Sequence, residues 1–185
     1  MIRFKVISGT VNVTENCYLY EYLPDGKNVS EMLMVDCGVA FPDLDMPGVD
    51  LVIPDFTYII ENKDKLKGIV VSQGHEDHQG ALPFLLSKIK TTVYAQELVY
   101  EFIEDKFKDF KLSGYDLKRY NPDSTTLNIG SFKVTPFRVS HSIPETVGFS
   151  INTPEGQFIH VAEHKFDPKP VSGSPFDIEK AESLF

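Results

Sequence analysis

Gln73-Gly74-His75-Glu76-Asp77-His78 is the stretch on which the reading of this sequence turns. It follows the short apolar run Ile69-Val70-Val71, which reads as a buried strand ending at Ser72. It precedes Gly80 to Lys90, where Leu82, Leu85, Leu86 and Ile89 recur at helical spacing. Pro83 falls in the first turn of that helix, where a missing N–H costs nothing. The loop between strand and helix therefore carries two His and one Asp within four residues, and all three can turn toward one point. Imidazole nitrogen with carboxylate oxygen suits zinc or manganese better than calcium or magnesium. The competing explanation is a scatter of surface histidines, and clustering on one strand-to-helix loop argues against it.

Outward from this loop, short apolar runs alternate with periodic polar stretches. Phe4 to Ile7, Cys17 to Tyr22 and Met32 to Val35 read as strands, with Pro24-Asp25-Gly26 as turn chemistry between the last two. Thr92 to Tyr94 reads as a strand and Gln96 to Phe110 as a helix. The last third is β-rich. Ser131 to Val139 alternates with period two, and Thr153-Pro154-Glu155-Gly156 joins Thr146–Asn152 to Gln157–Val161 as a hairpin. From Asp167 the chain is rich in Pro, Gly and Ser, with a short helix from Asp177. Strands feeding helices, then a meander, predict an α/β (α+β layered) domain.

The remaining histidines of the five lie in two further clusters, Ser140-His141-Ser142-Ile143-Pro144 and His160-Val161-Ala162-Glu163-His164. For His160 a structural role and a ligand role are equally supported. On an extended strand His164 and Glu163 would face opposite ways, which argues against His164 as a ligand. With 185 residues the chain can bury a core without metal or disulfide staples, so a metal site here would serve chemistry. The formal charge of −9 argues against a simple nucleic-acid clamp, although bound ions can supply local positive charge. Two cysteines make no disulfide framework, and no signal region or membrane span is visible. A cytoplasmic protein is expected.

The box resembles the HxHxDH signature of the metallo-β-lactamase superfamily. More narrowly, the chain resembles the N-terminal part of the ribonuclease J family, β-CASP-type RNA-processing nucleases. Four segments carry the resemblance: Val35-Asp36-Cys37-Gly38 with Phe41-Pro42; Met46 to Asp55; Gly74 to Leu86; and His141-Ser142-Ile143-Pro144-Glu145 through Lys165-Phe166-Asp167. The resemblance implies the first half of a metallo-β-lactamase αββα sandwich over residues 1–185. It places the β-CASP insertion, the second half of the core and a last metal-binding His further on, so the chain is expected to be a fragment or truncated product. It also implies a metal-dependent RNA phosphodiester hydrolase, exo- or endonucleolytic, that uses a hydroxide activated by two metals and leaves a 5′ phosphate.

By the same resemblance, Gln73, His75 and His141 hold one ion, and Asp77 and His78 the other. Glu163 bridges them, and Asp77 and Glu163 serve catalysis. The ions are two divalent metals, zinc first. Gln73 stands where the family has His, and its neutral oxygen leaves Mn or Mg open. Glu163 stands where the family has Asp. The Gly9–Asn16 segment matches the family's Gly-rich loop only at its outer residues. Asp36, at the end of a buried strand, fits a residue that orients a metal-bound His through its other ring nitrogen, or else a turn cap. Ser142 and Lys165 are weaker substrate-contact candidates. RNA is the expected partner, in a homo- or hetero-oligomer. Two alternatives stand beside this: a metal-poor partner subunit of a ribonuclease assembly, which Gln73 favours, and another hydrolase on the same fold.

Overall fold

The computed structural model describes residues 1–10 and 13–184. Val11 and Asn12, within the expected Gly-rich segment, lie outside the described residues. Among those described, ten strands form two sheets. The first has six strands in chain order: β1 (Ile2–Ser8), β2 (Cys17–Tyr22), β3 (Glu31–Val35), β4 (Leu66–Val70), β5 (Thr92–Ala95) and β6 (Asp116–Arg119). β1 to β3 run antiparallel as a meander, and β3 to β6 run parallel. The second sheet is the antiparallel set β7 (Leu127–Ile129), β8 (Phe132–Arg138), β9 (Val147–Thr153) and β10 (Gly156–His160).

Side-chain parity explains how the layers stack. Along β3 and β4, Met32, Met34 and Ile69 point to one face, while Leu33, Val35 and Val70 point to the other. The first set packs under the helices α1 (Thr57–Glu61), α3 (Leu82–Leu86) and α4 (Glu97–Asp109), with the single turn α2 (Glu76–Gln79) ahead of α3. In α4, Val99, Ile103 and Phe107 recur every four residues and are buried in this layer, while the acidic and basic residues face out. The second set meets Phe132, Val134, Val147, Phe149 and Ile151 of the second sheet, forming the core between the sheets. These parallel strands are buried on both faces, so they read as continuous apolar runs rather than alternations. The outer face of the second sheet carries Phe137, Val139 and Ile159, met by α5 (Ile178–Ser183) and Phe176. Helix, sheet, sheet and a thin fourth layer give the expected mixed α/β sandwich.

Several elements differ from the sequence reading. Of the helix expected over Gly80–Lys90 only Leu82–Leu86 (α3) is helical; a separate turn, α2, forms earlier, inside the box, with Gly80 and Ala81 between the two. α1, β6 and β7 have no counterpart in that reading. β8 holds Pro136 in its interior. β7 pairs only as far as Val134, so at Pro136 the ladder has a neighbour on one side only.

Candidate metal centre

The box is held in place by backbone. After β3 the chain turns at Asp36, with φ of 61°, and runs along the box. Cys37 N–H donates to the His78 carbonyl at 2.8 Å and Val39 N–H to that of Glu76 at 3.1 Å. Asn16 N–H donates to the Asp77 carbonyl at 2.9 Å, and Gly38 N–H donates to Asn16 at 3.0 Å. The approach is so close that a Cβ on Gly38 would fall 1.5 Å from the Asp77 carbonyl oxygen. Glycine is required there by space rather than by dihedral angle.

This clamp aims the side chains. His75 caps α2, and Asp77 and His78 lie in its single turn. His78 is fully buried, and its Nδ1 lies 2.8 Å from Oδ2 of Asp36. Asp36 also accepts from Ser72, at 2.7 Å from both the backbone N–H and the hydroxyl. Burial works against a charged His78, but Asp36, aided by Asp77 and Glu163, outweighs it, and the imidazole pKa is raised. With Nδ1–H donated to Asp36, the His78 Nε2 lone pair faces the site. Of the residues expected at the site, Asp36 is thus placed as a support for His78.

His141 and Glu163 arrive from the other sheet. β8 ends at Arg138, and His141 follows three residues on. Glu163 lies three residues past β10, in a loop rather than on a strand. Lys165 N–H donates to the Ser140 carbonyl at 2.6 Å, which ties the two segments together. Nε2 of His141 stands 3.1 Å from Oε2 of Glu163, but not in hydrogen-bond alignment, and both buried ring nitrogens of His141 lack a hydrogen-bond partner among the described residues. Burial, with further help from His75, His78 and Lys165, holds the His141 pKa below its ordinary value despite Glu163.

Two sets of donor atoms result, each within 4.8 Å of one another: His75, His141 and Glu163, and Asp77, His78 and Glu163. Glu163 belongs to both. Nitrogen and carboxylate donors that converge without donating protons to one another suit divalent cations of the zinc or manganese kind, and the residues fit such a pair. The amide of Gln73, fully buried, was expected beside His75 and His141. Its Nε2 instead lies 2.9 Å from His78 Nε2 and 3.4 Å from Oε2 of Glu163, and its Oε1 has no partner among the described residues.

Ser142 and Lys165 are exposed at the rim, with Lys165 close enough to His141 to bear on its charge. His164 turns away, with Nδ1 near the Ala162 carbonyl and its ring against Phe166 and Phe176. The strand has already ended there, so pleat parity does not decide its direction. His160 is half-buried beside Tyr20, whose hydroxyl lies 3.1 Å from Nδ1, outside both donor sets.

Two site residues escaped the sequence reading. Ser72 joins Asp36 and His78. Asn16, just before β2, places Nδ2 at 3.1 Å from both Oδ2 of Asp77 and Nε2 of His78, while its Oδ1 accepts from the Tyr18 hydroxyl at 2.8 Å. A lone Asn ahead of a strand gives no local signal of this role.

A layered α/β fold with two His/Asp/Glu donor sets around a shared carboxylate defines a metallohydrolase class. Residues 33–172 match the beta-lactamase superfamily domain, and the chain belongs to that family. Ribonuclease J 1 of Streptococcus pyogenes is 37% identical over 182 residues, covering 96% of this chain and 30% of that protein. Ribonuclease J of Thermus thermophilus is 38% identical over 169 residues, covering 84% and 29%. The chain thus spans under a third of the length of these relatives. Among solved structures, a protein of unknown function from Enterococcus faecalis V583 shares the fold, with a TM-score of 0.64 at 14% identity, covering 89% of this chain and 44% of that one. No helix among the described residues is long and apolar enough to cross a membrane.

Proposed function

We propose that this chain carries the larger part of a two-metal hydrolase centre, and that the protein it forms hydrolyses RNA phosphodiesters in the manner of the ribonuclease J proteins it resembles. The observation that carries the reading is the pair of donor sets meeting at Glu163. His75, His141 and Glu163 would hold one divalent ion, and Asp77, His78 and Glu163 the other, with zinc favoured by the imidazoles and Mn or Mg by Gln73. Ions held there supply Lewis acidity, which lowers the pKa of water and offsets charge on the phosphoryl oxygens.

The chain's own residues supply the geometry. Asp36 and Ser72 fix the tautomer and direction of His78. Asn16 fixes the Asp77 carboxylate. Asp77 and Glu163 orient a water for attack on phosphorus in line with the leaving 3′ oxygen, which leaves the 5′ phosphate on the other product. Lys165 and Ser142, exposed beside His141, would meet the RNA backbone. Local cationic charge also reconciles an RNA substrate with a chain of net charge −9. Two unpaired, buried cysteines suit the reducing cytoplasm. The native metal set, the 5′-phosphate product and assembly into oligomers belong to the same proposal.

The test is metal content per chain together with cleavage of 5′-labelled RNA. Two ions and RNA cleavage, both lost in His75→Ala and Asp77→Ala, would support it; hydrolysis of a thioester but not RNA would overturn the substrate. One observation favours a second reading, a metal-poor partner subunit: the N–H face of Gln73 is turned to His78 and Glu163. Fewer than one tightly bound ion and no cleavage in added Mn²⁺ would establish that reading instead.

A further inference from the structure

Two side-chain amides approach Nε2 of His78, Gln73 at 2.9 Å and Asn16 at 3.1 Å, and they are held differently. Asn16 is pinned at both ends, by Tyr18 at its oxygen and Asp77 at its nitrogen. Among the described residues Gln73 is engaged only through Nε2, and its buried Oε1 meets no partner. A half turn of the Gln73 amide exchanges its two ends and breaks nothing on the oxygen side. The two orientations are chemically opposite. The N–H face donates to the lone pairs of His78 and Glu163, the same lone pairs a cation takes. The oxygen face offers those atoms nothing by itself, but it is a ligand for a cation lying between them.

We propose that the Gln73 amide is a two-position gate on the metal centre. With nitrogen inward it competes with a cation for His78 and Glu163, and with oxygen inward it completes the ligand set. This rests on reading the site as a metal centre. It goes beyond that reading by making one residue both competitor and ligand, with opposite effects on the two ions. The first ion must displace the N–H contacts, and the second meets an oxygen already turned inward. Asn16, with its orientation fixed by Tyr18, is the built-in contrast.

Calorimetric titration of Zn²⁺ and of Mn²⁺ into chelator-stripped protein tests it. Gln73→Met keeps the volume but removes both faces. It is expected to tighten the first ion about tenfold, the scale of one displaced hydrogen bond, and to weaken the second. Gln73→Glu keeps oxygens and removes the N–H, and it is expected to tighten both. In ¹⁵N spectra the Gln73 side-chain NH₂ signal should shift on loading, while that of Asn16 keeps its Tyr18-fixed orientation. If the first ion binds more weakly in Gln73→Met, Gln73 is a plain ligand and the gate is overturned. If both ions bind the wild type and neither variant changes either affinity, the gate alone falls. If the wild type binds no divalent ion, the gate and the metal centre fall together.

Discussion

The two halves of the candidate metal centre are built in different ways. His75, Asp77 and His78 sit on one helical turn, clamped along its backbone by residues 36–39 and Asn16, with His78 fully buried. Glu163 sits on a loop past the last strand, with its side chain 34% exposed and its segment held by one backbone bridge, Lys165 to Ser140. The first half is part of the core, so its geometry is fixed by folding. The second half is attached to the core, so its geometry can answer to what the site holds. Stability should therefore be sensitive to the first half and almost indifferent to the second, while ion binding should need both.

The harshest break of this comparison is Gly38→Ala. Its Cβ would overlap the Asp77 carbonyl, so residues 36–39 must leave the box or the box must leave the sheet. A loss of about 4 kcal/mol or more is expected in urea unfolding, the range of severe core disruptions. Next comes Asp36→Ala, which strands the buried His78 imidazole and the Ser72 N–H together. Removing one partner of such a buried pair costs about 3 kcal/mol, and Asp36→Asn, which still accepts one hydrogen bond, should cost less.

The contrast between the halves also decides what the sequence revealed. The box is readable because six consecutive residues hold three candidate ligands, and strand-to-helix loops follow from local pattern. The apolar parity of β3 and β4 was readable for the same reason. β6 was not, because Asp116-Leu117-Lys118-Arg119 has one apolar residue; it is a strand because Thr92–Ala95 of β5 offers it an open edge. α1 was hidden by Tyr58, Ile59 and Ile60, which favour strands, and it is started by Asp55 accepting from Thr57 N–H. Asn16 and Ser72 were missed because their roles depend on partners 61, 62 and 36 residues away. The approach of Gln73 to Glu163 likewise depends on how two loops pack.

A smaller effect probes the strand that leads to the Glu163 loop. His160 ends β10, and burial lowers its pKa below the ordinary value. The folded state therefore binds its proton less readily than the unfolded chain. The contribution is neutral above about pH 6.5 and stability falls as pH drops through that value, by at most about 1.4 kcal/mol per pH unit. His160→Gln, which retains a polar partner for Tyr20, should flatten that slope of urea midpoint against pH between about 6.5 and 5. An unchanged slope would place the acid sensitivity elsewhere, in the carboxylates.

The smallest effect on stability is the most telling. Glu163→Gln alters a partly exposed loop side chain outside both main cores, so urea unfolding of chelator-treated protein should move by no more than about 0.5 kcal/mol. The same change removes the one carboxylate common to both donor sets. Saturating Zn²⁺ or Mn²⁺ should raise the stability of the wild type by about 2.7 kcal/mol at a hundred times Kd, and should raise that of Glu163→Gln far less. Asp36→Ala should show the opposite profile, with a large loss before any ion is added. If Glu163→Gln instead unfolds as readily as Asp36→Ala without ions, the loop is part of the folded core and the two halves are not distinct. The comparison holds only if stability and ion response separate cleanly between Asp36 and Glu163, two carboxylates that approach the same imidazole from its two nitrogens.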